Sequence, residues 1–250
     1  MKTLVFADLD DTLFQSHHKQ PPQADWLPVA YLKDGSPISF QSPGQQHLFE
    51  TFLEAGTIIP VTARNSDAFA RVDLPFTSEA IINYGGVILG ANRTPEPQWL
   101  ARTIDLAARS RDDLAQWQAL VSVLAQDEGL SARVRLIDEM GMAFYVVAKA
   151  TEPSEANEAA LERIAAHLAP LIGNDARIHQ NGNNLAILPR WLDKRDAVAH
   201  LIERYRHQHG HVVTIGIGDS LVDLGFMTLC DYVITPSGSQ ITTRRLGDHP

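Results

Sequence analysis

Short apolar runs that end abruptly in polar clusters set the pattern of this chain. Residues 3–7 read as a buried strand and give way at once to Asp8, Asp10 and Asp11. The form recurs at residues 57–63 (TIIPVTA), 80–89 (AIINYGGVIL, broken at Gly85 and Gly86), 212–220 (VVTIGIGDS) and 231–235 (DYVIT). Helical periodicity separates these runs. Leu48, Phe49, Phe52 and Leu53 share one face ahead of a stop at Gly56, a second helix runs over 193–210 to Gly210, and 221–229 reads as a third. Apolar strands alternating with helices predict an α/β fold around a mostly parallel sheet.

Two segments depart from that alternation. Residues 17–44 are rich in proline and polar residues, and around Asp34-Gly35 they carry a hairpin pattern, an excursion beyond the first strand. Residues 110–129 predict a long amphipathic helix capped by Ser110, with Leu114, Trp117, Val121 and Leu124 on its face. A hairpin about Glu139-Met140-Gly141 follows. A second helix with Ala160, Leu161, Ile164 and Leu168 inward comes next, then a hairpin turning at Asn181-Gly182. Residues 89–188 therefore predict an α+β unit inserted into a core made of 1–88 and 189–250.

The chain has 250 residues, 44% of them hydrophobic, and a formal net charge of −9. The acidic balance argues against non-specific binding to nucleic acid or to an anionic membrane, while leaving room for a small anion at a locally positive site. Cys230 is the only cysteine, so an internal disulfide is excluded, and its apolar neighbours make it core filler. No signal-peptide pattern and no long apolar span is visible, and a cytoplasmic setting is expected.

In a parallel sheet, ligands gather at the carboxyl ends of the strands, so the polar clusters there carry the candidate chemistry. Residues two apart in an extended segment face the same way, which lets Asp8 and Asp10 point into one site. The pair reads either as a solvated turn or as a nucleophile beside a general acid/base. Thr62 either caps a helix or binds a phosphoryl oxygen, and Arg64 and Asn65 either reach substrate or solvate the loop. Lys194 opens a helix, where a lysine is unfavourable unless an anion lies against it. Asp219 and Asp223 follow a tight glycine turn and read either as a helix cap or as hard ligands suited to Mg²⁺. Together the clusters supply what phosphoryl transfer needs: an in-line nucleophile, a metal, and donors around the spread charge.

These motifs, DLDDT, the Thr62 turn, Lys194 and GDSLVD in that order, resemble the haloacid dehalogenase superfamily of phosphatases. The resemblance implies a Rossmann-like core with Asp8 as nucleophile and Asp10 as acid/base. It implies Mg²⁺ held by the Asp8 side chain, the Asp10 backbone carbonyl and Asp219, with Asp223 supporting the site. Thr62 and Lys194 would hold the phosphoryl group. The insert between the second and third motifs is similar to a C2-type cap of subclass IIB. That group includes phosphatases of sucrose phosphate, trehalose phosphate and mannosylglycerate phosphate. The chain departs from the family pattern at Asp11, a common glycine position, at Ala63 in the second motif and at Ser220 in the fourth, and its excursion is long for the subclass.

The expected substrate is a small phosphorylated metabolite, a sugar or polyol, with Asn83, Ser220 and the amide-rich turn around Asn183 as further candidate contacts. Tyr84 either lines the site or packs beneath the inserted unit, and Trp117 is read as core. Two other functions remain open on these residues: a phosphomutase or phosphotransferase, which shares the first half-reaction, and a non-catalytic phosphate-binding module.

Overall fold

The structure is a computed structural model that describes residues 1–246; the last four, which the expected core includes, lie outside the described residues. The chain divides into two compact units, Met1–Leu100 with the chain from Asp193 onward, and Ala101–Leu192.

The first unit opens with β1 (Lys2–Ala7), followed by a three-stranded excursion of β2 (Gln15–Ser16), β3 (Leu27–Tyr31) and β4 (Pro37–Gln41). Its antiparallel order is β2-β4-β3. The β3–β4 hairpin turns where the sequence places it, with Gly35 at φ 83° and the Asp34 carboxylate accepting from the Ser36 backbone and hydroxyl. The helix α1 (Pro43–Ala55) starts with a reciprocal cap between Ser42 and Gln45 and buries Phe49. After it come β5 (Thr57–Pro60), the one-turn α2 (Ser66–Phe69), β6 (Ala80–Ile82) and β7 (Val87–Leu89).

Helix α3 (Pro97–Arg109) crosses the division between the units. The second unit continues with α4 (Arg111–Asp127), β8 (Ala132–Glu139), β9 (Met142–Ala150), α5 (Glu155–Ile172), β10 (Ala176–Asn181) and β11 (Asn184–Pro189). Its sheet is antiparallel in the order β10-β11-β9-β8. One face packs Val146, Ala148, Leu185 and Ile187 against Leu114, Val121, Leu161 and Ile164 of α4 and α5. Alternation along each strand turns Arg133, Arg135, Lys149, Asn184, His179 and Asn181 to the opposite face.

The first unit then resumes with α6 (Lys194–His209), β12 (Val212–Ile217), α7 (Leu224–Met227), β13 (Tyr232–Ile234) and α8 (Gln240–Leu246). Its main sheet is parallel, β13-β12-β1-β5, with Leu4 opposite Thr214 on one side and Thr57 on the other. Leu4, Phe6, Ile59, Val198, Leu201 and Phe226 form its buried core, and Cys230 packs partly buried against it. Among the described residues no helix is long and apolar enough to cross a membrane.

Three local expectations need correction. Residues 80–89 are not one interrupted strand. They form an antiparallel hairpin, β6 with β7, around a turn at Asn83–Gly85. Ser110 does not cap α4: its hydroxyl donates to the Leu106 carbonyl 3.2 Å away and accepts from the Trp191 indole at 3.0 Å. A helix that the pattern did not resolve, α3, ends directly before it. The last hairpin pairs Asn181 with Asn184, so its turn is Gly182-Asn183, one residue later than the sequence suggests.

Candidate active site

The carboxyl ends of β1 and β12 lie side by side in register, because Ala7 pairs with Ile217 and the Asp8 backbone donates to the Ile217 carbonyl at 2.9 Å. Polar residues that follow the two strands are therefore brought together. Asp8 is 6% exposed, Lys194 3% and Asp223 1%, so the cluster is buried as well as charged. The Lys194 ammonium donates to Asp8 Oδ1 at 2.6 Å and to Asp223 Oδ1 at 2.7 Å. Thr12 Oγ1 bridges Asp8 Oδ2 at 3.3 Å and Asp219 Oδ1 at 3.4 Å.

Lys194 occupies the first turn of α6, and Asp193 caps that helix by accepting from the Arg195 backbone. The dipole penalty is thus met by two buried carboxylates. Its backbone is set by a close approach. Gly85, at φ 94°, has no room for a Cβ, which would lie 2.3 Å from the Asp193 carbonyl oxygen. At the other strand end, a Cβ on Gly218 would meet the Asp223 side chain at 2.5 Å. Ser220 holds that carboxylate, its hydroxyl and backbone donating to Asp223 Oδ2 at 2.5 and 3.1 Å.

One lysine does not balance three carboxylates. Burial pushes the Asp8 carboxyl well above its ordinary value, the Lys194 charge opposes this, and Asp223 and Asp219 add to it. Asp219 is pushed up to about 7 by burial and by the charges of Asp223 and Asp11. For Lys194, burial favours the neutral amine, but Asp223 and Asp8 outweigh it and raise its pKa. Ligand oxygens of Asp8, Asp219 and Asp223 all lie within 4.8 Å of one another. Hard carboxylate donors in a site with surplus negative charge fit a divalent cation of the Mg²⁺ type.

The Asp10 carboxylate stands apart from this cluster. It receives Arg64 through two bonds, from Nε at 2.9 Å and Nη2 at 2.7 Å. Arg64 is further fixed by the Ala68 carbonyl and by the Phe14 ring, 5.3 Å from the guanidinium carbon. Thr62 is 1% exposed, and its hydroxyl accepts from the Arg64 backbone at 3.1 Å. It caps no helix; Asn65 does so, accepting from Ala68 at the start of α2. Neither Asp219 nor Asp223 makes a side-chain cap on α7. Buried Asn83 donates its backbone N–H to the Arg64 carbonyl, tying the β6–β7 turn to the Thr62 loop. Asn183 lies in the second unit, where its amide donates to the Ala150 carbonyl across the turn.

Two residues outside the principal candidates join the site. Thr12 was visible as the last residue of DLDDT, since a hydroxyl two residues beyond Asp10 is within reach of the same turn. Tyr84 was left open by the sequence between lining the site and packing beneath the inserted unit. Burial pushes its hydroxyl up to about 12, within electrostatic range of Lys194, Asp223, Asp8 and Asp10. Its placement depends on the left-handed turn at Asn83 and Tyr84, φ 49° and 54°, which periodicity does not encode.

No family model and no curated protein matches the chain. Solved structures do match it. The C-terminal domain of C. albicans trehalose-6-phosphate phosphatase aligns at TM-score 0.59 and 11% identity, over 91% of this chain and 73% of that one. A Synechocystis sucrose-phosphatase, solved with sucrose and phosphate, aligns at TM-score 0.58 and 14% identity, over 100% and 90%. A haloacid dehalogenase-like hydrolase from Bacteroides thetaiotaomicron aligns at 0.52 and 12%, over 94% of each chain. The chain therefore shares the fold of these solved structures, a parallel core with an inserted α+β unit, as the motifs implied.

Proposed function

We propose that the chain is a Mg²⁺-dependent phosphomonoester hydrolase that works through an aspartyl phosphate on a small phosphorylated sugar or polyol. The observation that carries this reading is the buried cluster of Asp8, Lys194, Asp219 and Asp223 at two adjacent strand ends. The names of the trehalose- and sucrose-phosphate neighbours support the substrate class. A cytoplasmic setting and a C2-type cap role for the inserted unit belong to the same reading.

Lys194 engages Asp8 Oδ1, which leaves Oδ2, the oxygen facing Thr12, to attack phosphorus. A bond forms from Asp8 to phosphorus as the bond to the leaving oxygen breaks, and Asp10 supplies the proton that this oxygen needs. Water then attacks the aspartyl phosphate, giving its proton to Asp10; phosphate departs and the Asp8 carboxylate is restored. Both Asp10 oxygens accept from Arg64, so each proton transfer requires one of them to be released. Thr62 and Lys194 donate to the phosphoryl oxygens. Mg²⁺ held by Asp8 and Asp219, with Asp223 and the Asp10 carbonyl in support, would offset the carboxylate charge and stabilise charge on the transferring group.

The test is phosphate release from a panel of phosphorylated sugars and polyols, with Mg²⁺ and with chelator. Release is expected only with Mg²⁺, and Asp8→Asn is expected to lower it about a thousandfold or more. Release that persists in Asp8→Asn would overturn the aspartyl-phosphate reading. Phosphate passing to an added sugar without net release would instead identify a phosphotransferase.

A further inference from the structure

Trp99, in the first turn of α3, is 5% exposed and belongs to the apolar core of the first unit. A plain apolar ring would fill that place as well. An indole brings a donor with it, and a buried donor needs an acceptor. Trp99 Nε1 donates to the Gly85 carbonyl at 2.9 Å, in a buried bond. The residue is itself held from behind. Its backbone N–H donates to the Glu96 carboxylate, and the Glu96 backbone donates to the Ile88 carbonyl of β7 at 2.8 Å.

Gly85 ends the turn between β6 and β7. At the other end of that turn, the backbone N–H groups of Asn83 and Tyr84 donate to the carbonyls of Arg64 and Thr62, at 2.8 and 3.1 Å. The turn is thus anchored to the Thr62 loop on one side and to Trp99 on the other. Gly85 in turn backs the start of α6. A Cβ built on it would lie 2.3 Å from the Asp193 carbonyl oxygen and 3.0 Å from the Lys194 nitrogen. Trp99 meets α6 a second time through His200, with ring centroids 5.1 Å apart. Glu96 Oε1 stands 4.0 Å from His200 Nε2 at the same level. The first turn of α3 therefore bears on α6 at two heights. Lys194 is the residue with least tolerance for a shift of that helix, because one ammonium must meet Asp8 Oδ1 at 2.6 Å and Asp223 Oδ1 at 2.7 Å together.

We propose that Trp99 is a positioning residue for Lys194, acting through the Gly85 carbonyl and the Asp193–Lys194 peptide. Its effect on turnover rests on the phosphatase reading; its effect on where the ammonium lies does not.

Two variants separate the donor from the ring. Trp99→Phe keeps an aromatic side chain and removes the N–H. Trp99→benzothienylalanine replaces the N–H by sulfur within the same ring outline, so packing is kept and folding is protected. With Mg²⁺ and the best substrate of the phosphorylated panel, each is expected to lower kcat about tenfold, the worth of one buried hydrogen bond, with KM within about twofold. Trp117→Phe, which alters a core indole of the second unit, is expected to keep kcat. A crystal structure of the benzothienylalanine variant is the second measurement and needs no substrate. Lys194 Nζ is expected more than about 3.5 Å from Asp8 Oδ1, outside hydrogen-bond reach. Wild-type kcat in the benzothienylalanine variant would reduce Trp99 to core packing and overturn the proposal. So would an equal loss of kcat in Trp117→Phe, or an ammonium still seated on Asp8. If the unaltered chain releases no phosphate, the phosphatase reading fails and the position of the ammonium alone decides for or against Trp99.

Discussion

Lys194 concentrates the electrostatics of the core in one atom. Its ammonium lies 2.6 Å from Asp8 and 2.7 Å from Asp223, both buried. Replacing it by methionine keeps the stem's packing and leaves two carboxylates without their counter-charge. Removing one member of a buried ionic cluster costs about 3–5 kcal/mol. Lys194→Met is therefore expected to lose about that much stability in chelator at neutral pH, measured by urea unfolding, and to recover part of it when Mg²⁺ is added. A loss below about 1 kcal/mol would show that the cluster is hydrated rather than buried. The identity of these residues was legible in the sequence, because strand ends in a parallel sheet converge and polar clusters there are few. Their pairing was not. Nothing in DLDDT or TARN indicates that Arg64 closes on Asp10 through two bonds, or that Ser220 is spent on Asp223. Such pairings follow from distances between loops roughly 55 residues apart and from the helix cap at Asn65, which the local pattern leaves undecided between Thr62 and its neighbours.

At the scale of elements, strands and helices with a clear period were legible: β1, β5, β12, the β3–β4 hairpin, α1, α5 and α6. What escaped was set by backbone conformation. The chain over 80–89 reads as one apolar strand because Ile82 and Val87 continue the same hydrophobic run. It folds back because Asn83, Tyr84 and Gly85 all take positive φ. That turn has a structural consequence at the site, since Gly85 is pressed against the Asp193 carbonyl at the start of α6. Gly85→Ala would bring Cβ to 2.3 Å of that oxygen at φ 94°, so the Asp193–Lys194 backbone must shift. A cost of about 2–4 kcal/mol is expected, together with a fall in phosphate release as Lys194 moves off Asp8. Gly129→Ala separates strain from clash: it also has positive φ, 64°, but nothing lies within 4 Å of the new Cβ. It should cost about 1 kcal/mol and leave phosphate release unchanged. Equal stability losses for the two variants, read by urea unfolding, would mean that φ alone and not the Asp193 approach matters at Gly85.

Among the described residues, each unit carries an apolar cluster of its own. One is built on Leu4, Phe6, Ile59, Leu201 and Phe226, and the other on Leu114, Val121, Val146, Leu161 and Leu168. Every carboxylate of the candidate metal site belongs to the unit with the first cluster. A ligand stabilises what must unfold to release it, so a cation bound there raises the free energy of opening that unit. At a Mg²⁺ concentration a hundred times its dissociation constant the gain is about 2.7 kcal/mol. Native-state hydrogen exchange resolves where it goes. Amides of β1 and β12 are expected to slow by about a hundredfold on adding Mg²⁺ and to return on chelation. Amides at Val146 on β9 and Leu161 on α5 should keep their rates, because their unit buries its own core and holds none of the ligands. Uniform slowing in both units would mean that they open as one cooperative block despite their separate cores. No change in β1 or β12 would show that the three carboxylates, buried and close as they are, do not hold Mg²⁺.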